Sequence, residues 1–567
     1  MVRVTVDREW VTRSPDQGIV EELAASLDHS RTLARILANR ELTDPERARR
    51  YLEAPLDVLH DPALLPEIER GVDRVSHALA EDEQIVVFAD RDVDGIAGCA
   101  LLVKALAERG GNVGWYVPGK YEGYGLNEGA VREIAGRGCD LLVTVDCGTT
   151  AEAEIDLAAS RGMDVVVTDH HDTDSVPAAA LACINPRRDS SEYPHEDLAG
   201  GGVAFKLGEA LVDSLDSHGV GEYRADALPL VALATIGDYV ELNLENRAIA
   251  RAGYERLFDC DLPGLVRIAE HCDVSSIADL RWSLVPLLNA SQEDPSGDFP
   301  LKLLFAESEE RIAGLIAQLE DYRAQRRQQR RDRQAHLEEC FEQQVDPAID
   351  EELVYLVETD RYVGGSAMAS LSEQVGRPVI TYRQQEGYYK GGGRSAPDVD
   401  FIELYEASED QLTDYWGHPG AAGFEVPEQA FDDFRTQLVD AVRDRYSAAD
   451  LRPTLEIDLA VSPEDVTPEL VEELQVLRPF GPGHDEPRLL VEGVEVVGSE
   501  TFGRDDQHLR PVTADSEELG LVCWGGAEDQ RAFDGGGKFD VVGDVDWNEY
   551  VGAPQVSVTD FRTSTEQ

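Results

Sequence analysis

Two short runs in this chain carry the residue types from which a metal centre is built. Asp90-Arg91-Asp92-Val93-Asp94-Gly95 sets three carboxylates two residues apart, and Asp169-His170-His171-Asp172 places two imidazoles between two carboxylates. Asp and His both ligate divalent ions. An Asp-His-His triplet in a chain with only 12 His is far rarer by chance than a spaced run of Asp. Two further carboxylates stand at comparable places, Asp146 in Asp146-Cys147-Gly148 and Asp238 after Thr235-Ile236-Gly237. Oxygen ligands with one or two imidazoles, and no thiolate among them, suit manganese or magnesium better than zinc. Two such ions a few ångströms apart suit the hydrolysis of phosphate esters. For any one of these Asp residues the plain alternative is a helix N-cap after a βα turn. For all of them together with the His pair, that alternative explains little.

The clusters follow apolar segments that must position them. Ile85-Val86-Val87-Phe88-Ala89 reads as a buried strand ending at Asp90, and an apolar helix follows in Ile96-Ala97-Gly98-Cys99-Ala100-Leu101-Leu102. Leu141-Leu142-Val143-Thr144-Val145 ends at Asp146, and Val165-Val166-Val167-Thr168 ends at Asp169. Val231-Ala232-Leu233-Ala234-Thr235-Ile236-Gly237 is apolar, helical or extended, and ends at Asp238. Strands alternating with helices predict an α/β, doubly wound parallel sheet covered on both faces, with its chemistry outside the carboxyl ends of the strands.

The rest of the chain divides by pattern. Residues 1–70 read as a helical lead-in, with Leu33-Ala34-Arg35-Ile36-Leu37 and a capped start at Thr43-Asp44-Pro45-Glu46. The sheet domain occupies 71–320. A polar connector helix is expected over 321–345, where Arg323, Arg326 or Arg327, Arg330 and Arg333 share one face. That stripe reads equally as a nucleic-acid backbone contact or as a solvated helix face. A second, smaller α/β domain is expected over 346–448, with strands at Glu352-Leu353-Val354-Tyr355-Leu356-Val357 and Pro378-Val379-Ile380-Thr381-Tyr382. It carries two glycine-rich loops, Gly391-Gly392-Gly393-Arg394-Ser395 and Gly417-His418-Pro419-Gly420-Ala421-Ala422-Gly423, whose backbone suits close approach to a phosphate. Short strands and turns over 449–567 predict a small β-barrel, a form that often binds single strands.

Composition bounds the setting. The 567 residues carry a formal charge of -61, spread along the chain, and only six of the 51 basic residues are Lys. Such a surface suits a halophilic, archaeal type of cytoplasm, where screening shortens the Debye length to about 3 Å at 1 M salt. Charge alone speaks against a nucleic-acid partner, but in such salt binding rests on local Arg, metals and stacking. No run approaches the ~18 apolar residues of a membrane span, and Met1-Val2-Arg3-Val4-Thr5-Val6-Asp7 lacks the apolar core of a signal peptide, so a cytoplasmic protein without a membrane partner is expected. The eight Cys are scattered, without a C-x-x-C pair, and read as buried free thiols.

These motifs, taken in order, resemble a DHH-family phosphoesterase of the RecJ type. The likeness runs through Asp90 to Gly95, Glu122-Gly123-Tyr124-Gly125-Leu126-Asn127, Val145 to Gly148, Asp169-His170-His171, Ile184-Asn185-Pro186, Leu198-Ala199-Gly200-Gly201-Gly202 and Asp238. It continues through Gly393-Arg394-Ser395 and Gly417 to Gly423, which resemble the DHH-associated domain. It reaches an OB-like barrel in Pro479-Phe480-Gly481-Pro482-Gly483-His484, Gln507-His508-Leu509 and Trp547 to Gly552. The resemblance implies a processive 5′-to-3′ exonuclease of single-stranded DNA in repair, recombination or replication, using two Mn2+ or Mg2+ ions. By similarity Asp92, Asp94, Asp146, His170 and Asp238 are metal ligands, with Asp146 the bridge, and Asp169 and His171 orient the cluster or touch the scissile phosphate. His171, Arg394, Ser395 and His418 would hold the strand. DNA is the favoured partner, with replication or repair proteins beside it. The same lobes also suit an oligoribonucleotide or cyclic-dinucleotide phosphodiesterase, for which the barrel is superfluous, or a non-catalytic replication-fork scaffold, which a complete ligand set disfavours. Where such relatives usually read P-R-I-N-A-x-G-R, this chain has Pro286-Leu287-Leu288-Asn289-Ala290-Ser291-Gln292-Glu293, losing both Arg. Arg91 replaces a usual aromatic, and Asp360-Arg361-Tyr362-Val363-Gly364-Gly365 replaces a Trp-His ahead of G-V-I-G.

Overall fold

A computed structural model of the chain describes residues 8–173, 175–345, 353–395, 399–514 and 518–564. The chain forms two compact units, one of residues 15–324, 461–487 and 491–567, the other of 1–14, 325–460 and 488–490. Met1 to Asp7 and Glu352 lie outside the described residues.

The first unit is built on five parallel strands. In spatial order they are Asn112–Tyr116, Gln84–Ala89, Leu141–Val145, Asp164–Thr168 and Ala182–Ile184. Their residues are β-branched or apolar on both sides because both faces are covered. Ile85, Val87 and Ala89 enter one core with the helices Val93–Glu108, Gly200–Leu215 and Val220–Gly237, while Val86 and Phe88 enter a second core with Glu128–Gly136. The first strand in sequence sits between the second and third, so the connections leave it in opposite directions. The crevice at that reversal lies outside the carboxyl ends of Gln84–Ala89 and Leu141–Val145, which is where an open α/β sheet binds its ligand.

Several expectations shift at their edges. The segment ending at Asp238 is helical throughout, Val220–Gly237, with Pro229 inside it. Apolar residues surround this helix on all sides because it is buried between Val93–Glu108 and Gly200–Leu215, which removes the periodicity that marks an exposed helix. The lead-in contains the helices Gln17–Leu27, Arg31–Asn39 and Pro45–Glu53. It is not wholly helical, however. Glu9–Thr12 is a strand paired in parallel with Thr454–Ile457 inside the second unit. The polar helix begins earlier than expected and spans Glu309–Gln344. On its basic face Arg323 is paired with Glu320 at 2.6 Å, whereas Arg327, Arg330 and Arg333 are exposed.

The second unit holds a five-stranded sheet in the order Asp414–His418, Ala421–Pro427, Tyr388–Arg394, Val379–Gln385, Tyr355–Glu358, flanked by Gly365–Val375, Phe401–Glu406 and Phe431–Arg445. The C-terminal sheet uses Leu459–Val461, Arg488–Phe502, His508–Thr513, Gly520–Val522, Gly537–Asn548 and Ala553–Thr563, all but residues 459–460 and 488–490 belonging to the first unit. It curls without a closing ladder. The Leu509↔Cys523 bridge, with N–H···O distances of 3.0 and 2.8 Å, spans the gap, and Thr513 Oγ1 donates across it to the Leu519 carbonyl at 2.7 Å. No helix is long and apolar enough to cross a membrane among the described residues. All eight Cys are free thiols.

Candidate metal centre

Each expected ligand of the first unit arrives at the crevice by a different local device. Asp92 is the N-cap of Val93–Glu108, its carboxylate accepting from the N–H groups of Asp94 at 3.0 Å and Gly95 at 3.2 Å. Here the N-cap and ligand readings coincide in one residue. Asp94, on the first turn, is 1% exposed and accepts from Gly200 N–H at 2.7 Å and Gly201 N–H at 2.6 Å, the start of Gly200–Leu215. A helix N-terminus is a favourable neighbour for a carboxylate. The glycines are sterically required as well. A Cβ on Gly200 would stand 2.5 Å from Cβ of Asp146, and one on Gly201 2.7 Å from Cβ of Ala234.

Asp146 leaves its strand in a left-handed conformation, φ 59°, one that Asp tolerates better than most residues. Its side chain is buried, and its Oδ1 finds no hydrogen-bond partner. His170 Nε2 lies 3.2 Å from that atom, 3.5 Å from Asp238 Oδ2 and 3.9 Å from Asp94 Oδ2. Neither ring nitrogen of His170 has a hydrogen-bond partner. Asp238 caps the end of Val220–Gly237. Ligand atoms of Asp94, His170 and Asp238 lie within 4.8 Å of one another, as do those of Asp90, Asp92 and Asp146. The five residues expected as metal ligands therefore converge. Asp90, quoted in the motif but not expected as a site residue, joins them. Its place immediately after the strand was the available signal.

Asp169 plays a different part. Its oxygens accept from Thr149 N–H at 2.9 Å, His170 N–H at 2.7 Å and His171 N–H at 3.2 Å, and lie 2.7 Å from His171 Nδ1. Burial works to raise its pKa, but the His171 and Thr149 hydrogen bonds outweigh it and hold the carboxyl at about 2. The same hydrogen bond lifts half-exposed His171 to about 9, so it is a cation near neutral pH. Asn185 supports this arrangement, donating to Thr149 Oγ1 at 3.1 Å and to the His171 carbonyl at 2.9 Å.

The remaining carboxylates are pushed the other way. Burial, then the charges of Asp94 and Asp90, raise Asp92 to about 6. Asp94 is raised by burial, and Asp146 and Asp238 by burial and then by neighbouring carboxylates, while burial lowers His170. Among the described residues no Lys or Arg forms an ion pair with Asp92, Asp94, Asp146 or Asp238. Four buried or half-buried carboxylates around His170, with an orphaned oxygen and two orphaned ring nitrogens, carry more negative charge than the nearby His171 and Arg187 offset. Divalent cations fit that deficit.

The segment Pro286 to Glu293 presents no cation to the crevice. Leu287 and Leu288 are core residues, and Glu293 pairs with Lys120 at 2.5 Å. Asn289 Oδ1 accepts from Val93 N–H at 3.0 Å, steadying the helix that carries Asp94. Arg91 donates to the Lys120 carbonyl at 3.1 Å and lies over the Tyr124 ring at 3.9 Å.

In the second unit, Arg394 ends its strand and packs over the start of Gly365–Val375, where a Cβ on Gly365 would meet its Nη2 at 2.6 Å. It lines a cavity of about 320 Å³ with Tyr362, Lys390 and Trp416. His418 is exposed at the end of its hairpin strand and is not among the residues lining that cavity. Ser395 follows Arg394 next to residues 396–398, which are not described. The glycine run serves packing first. A Cβ on Gly391 would strike the Thr381 carbonyl at 2.4 Å and Phe424 at 2.5 Å, and one on Gly393 would strike Phe401 at 2.4 Å, so both glycines are required by the packing of the sheet and its core.

Known proteins show the same order of parts. Residues 84–235 match the DHH family, N-terminal domain, and residues 457–560 match the RecJ OB domain. The chain is similar to the single-stranded-DNA-specific exonuclease RecJ of Bacillus subtilis (strain 168), 29% identical over 98% of this chain and 71% of that protein. It is 33% identical to the protein of that name from Dickeya dadantii (strain 3937), over 78% of this chain and 80% of the relative. The crystal structure of RecJ in complex with Mn2+ from Thermus thermophilus superposes with a TM-score of 0.79 at 25% identity, covering 98% of this chain and 80% of that one.

Proposed function

This chain belongs to the RecJ family of DHH phosphoesterases, and on that premise we propose that it is a metal-dependent exonuclease that hydrolyses single-stranded DNA from the 5′ end. The observation that carries the chemistry is the convergence of Asp92, Asp94, Asp146, Asp238 and His170 in a crevice without a paired Lys or Arg. These five residues would hold the ions, Mn2+ or Mg2+, and Asp90 extends the ligand set. When bound, a pair of divalent ions supplies activation of the attacking water and neutralisation of the charge that develops at phosphorus.

The chain's own residues do the rest. Asp169 fixes the loop by accepting two consecutive backbone N–H groups, which points His170 inward and leaves His171 at the mouth. His171, held protonated by Asp169, offers a positive N–H to a phosphate oxygen of the strand. Gly200 and Gly201 hold Asp94 without competing for its position. Arg394, in the cavity of the second unit, would take a further phosphate, with Ser395 next to it in sequence and His418 two strands away in register through Ala421. The C-terminal barrel gives a long strand an additional surface, which a dinucleotide substrate would not use.

The test uses purified full-length protein with Mn2+ at molar salt and end-labelled single strands of DNA and RNA. Release of mononucleotides from the 5′ end of DNA, abolished in Asp146→Ala with an unchanged circular dichroism spectrum, is the expected result. Degradation from the 3′ end would overturn the polarity. Absence of hydrolysis of any strand would overturn the enzyme.

A further inference from the structure

The first unit also carries three large side chains stacked in the open. Tyr239 directly follows Asp238 and has φ 64°, a left-handed conformation that an aromatic residue rarely adopts. The Arg281 guanidinium carbon lies 3.9 Å from the centre of the Tyr239 ring and 4.7 Å from that of Trp282. Arg281 and Trp282 belong to a five-residue π-helical turn, Leu280–Leu284, whose end residues Leu280 and Leu284 are buried. Such turns recur at functional sites because they displace side chains from their regular helical positions. Trp282 is 71% exposed and Tyr239 53%. Among the described residues Arg281 makes no ion pair or hydrogen bond, in a chain with 112 acidic residues for 51 basic ones. Its charge rests on two aromatic faces alone.

Trp282 borders a groove of about 810 Å³ that Arg251, Tyr254, Arg478 and Phe480 also line, together with Glu255 and Asp546. Arg478 is already engaged by Asp546 at 2.8 Å. A polyanion gains little from net charge here. A planar ring gains a large exposed indole with a cation behind it, an attraction that salt does not screen as it screens phosphate contacts. Tyr239 also ties the stack to the crevice, since it directly follows Asp238 in the chain.

We infer that Tyr239, Arg281 and Trp282 form a stacking platform that holds a nucleobase of the single strand beside the metal centre. This rests on the single-strand reading given above, and adds to it a grip that reads the base face instead of the phosphate. The three are positioning residues, since none reaches the reacting atoms.

The test compares wild type, Trp282→Ala and Trp282→Phe, full-length, with a labelled oligothymidine and an abasic oligomer of equal length. Anisotropy in EDTA gives affinity without hydrolysis, and turnover with Mn2+ gives KM and kcat. Trp282→Ala should weaken oligothymidine binding and raise KM on the order of tenfold, at low and at molar salt alike. The abasic oligomer should be bound as by wild type, kcat at saturation should be retained, and Trp282→Phe should restore most of the affinity. Equal losses on both oligomers, or no loss on either, would overturn the platform. If Trp282→Ala degrades and binds every strand as wild type does, the exposed patch faces another partner and only this inference falls. If wild type itself binds and degrades no strand, the single-strand reading falls with it.

Discussion

Two clusters in the same unit are built from the same ligand types and behave oppositely. Ligand atoms of partly buried His60 and His195 and of buried Glu245 also lie within 4.8 Å of one another. There Glu245 accepts from Lys206 Nζ at 2.7 Å, Tyr193 Oη at 2.7 Å, His195 Nε2 at 2.8 Å and His60 N–H at 2.9 Å. Asn243 donates to His195 Nδ1 at 3.0 Å, which fixes the tautomer that gives its proton to Glu245. Burial would raise Glu245, but these partners outweigh it and hold the carboxyl at about 2. At the crevice, by contrast, Asp92 stands at about 6, and Asp146 is raised well above the usual carboxylate range by burial and then by Asp94, Asp92, Asp169 and Asp238. Residue type does not separate a metal centre from a satisfied buried network. Missing positive charge does.

The contrast breaks most visibly at Asp146. Asp146→Asn keeps the shape but removes a charge and the proposed shared ligand, so the rate should fall by several kcal/mol of transition-state stabilisation, on the order of 10⁴-fold. Its metal-free form should be no less stable than wild type, because a source of repulsion is gone, and a thermal melt in EDTA checks this. Lys206→Met should do the reverse. It strands Glu245 in the core and should cost about 3–5 kcal/mol in denaturant unfolding, with or without metal. Mn2+ at 100 times its Kd should stabilise wild type by about 2.7 kcal/mol for each site filled, a gain absent from Asp146→Asn and kept by variants of the Glu245 network.

The smallest effect is in the pH slopes. Glu245 is depressed on folding, so its contribution is present above its unfolded pKa near 4.3 and is lost as pH falls from there through about 2. Asp92 is raised, so the folded metal-free protein binds the extra proton, and stability should fall as pH rises from about 4 through about 6, by at most about 1.4 kcal/mol per pH unit for one such group. Saturating Mn2+ should remove that fall, since the ions compete with the protons. Chemical denaturation across pH with and without Mn2+ measures both slopes.

Much of the crevice was legible in the chain because its ligands stand where strands end. Ala89, Val145 and Thr168 close runs of β-branched and apolar residues, and a period change marks each boundary. Asp238 was legible as a carboxylate of the crevice but not as a helix cap, since Val231 to Ile236 are buried on every side and show no helical stripe. The Glu245 network left no local trace. His60, Tyr193, Lys206 and Glu245 are joined only by tertiary packing, and the pairing of Glu9–Thr12 with Thr454–Ile457 crosses nearly the whole chain. The packing role of the glycines at 391 and 393 was illegible for a related reason. A glycine that yields to an aromatic ring and one that yields to a phosphate look the same in sequence, and the contacts with Phe424 and Phe401 appear only in the fold.

The most direct test is calorimetric titration of Mn2+ into metal-free wild type, Asp146→Asn and His195→Gln. If the charge-deficient crevice is the metal centre, wild type and His195→Gln take up two ions alike and Asp146→Asn loses high-affinity uptake while remaining folded. Unchanged uptake by Asp146→Asn, or uptake lost in a folded His195→Gln, would contradict it.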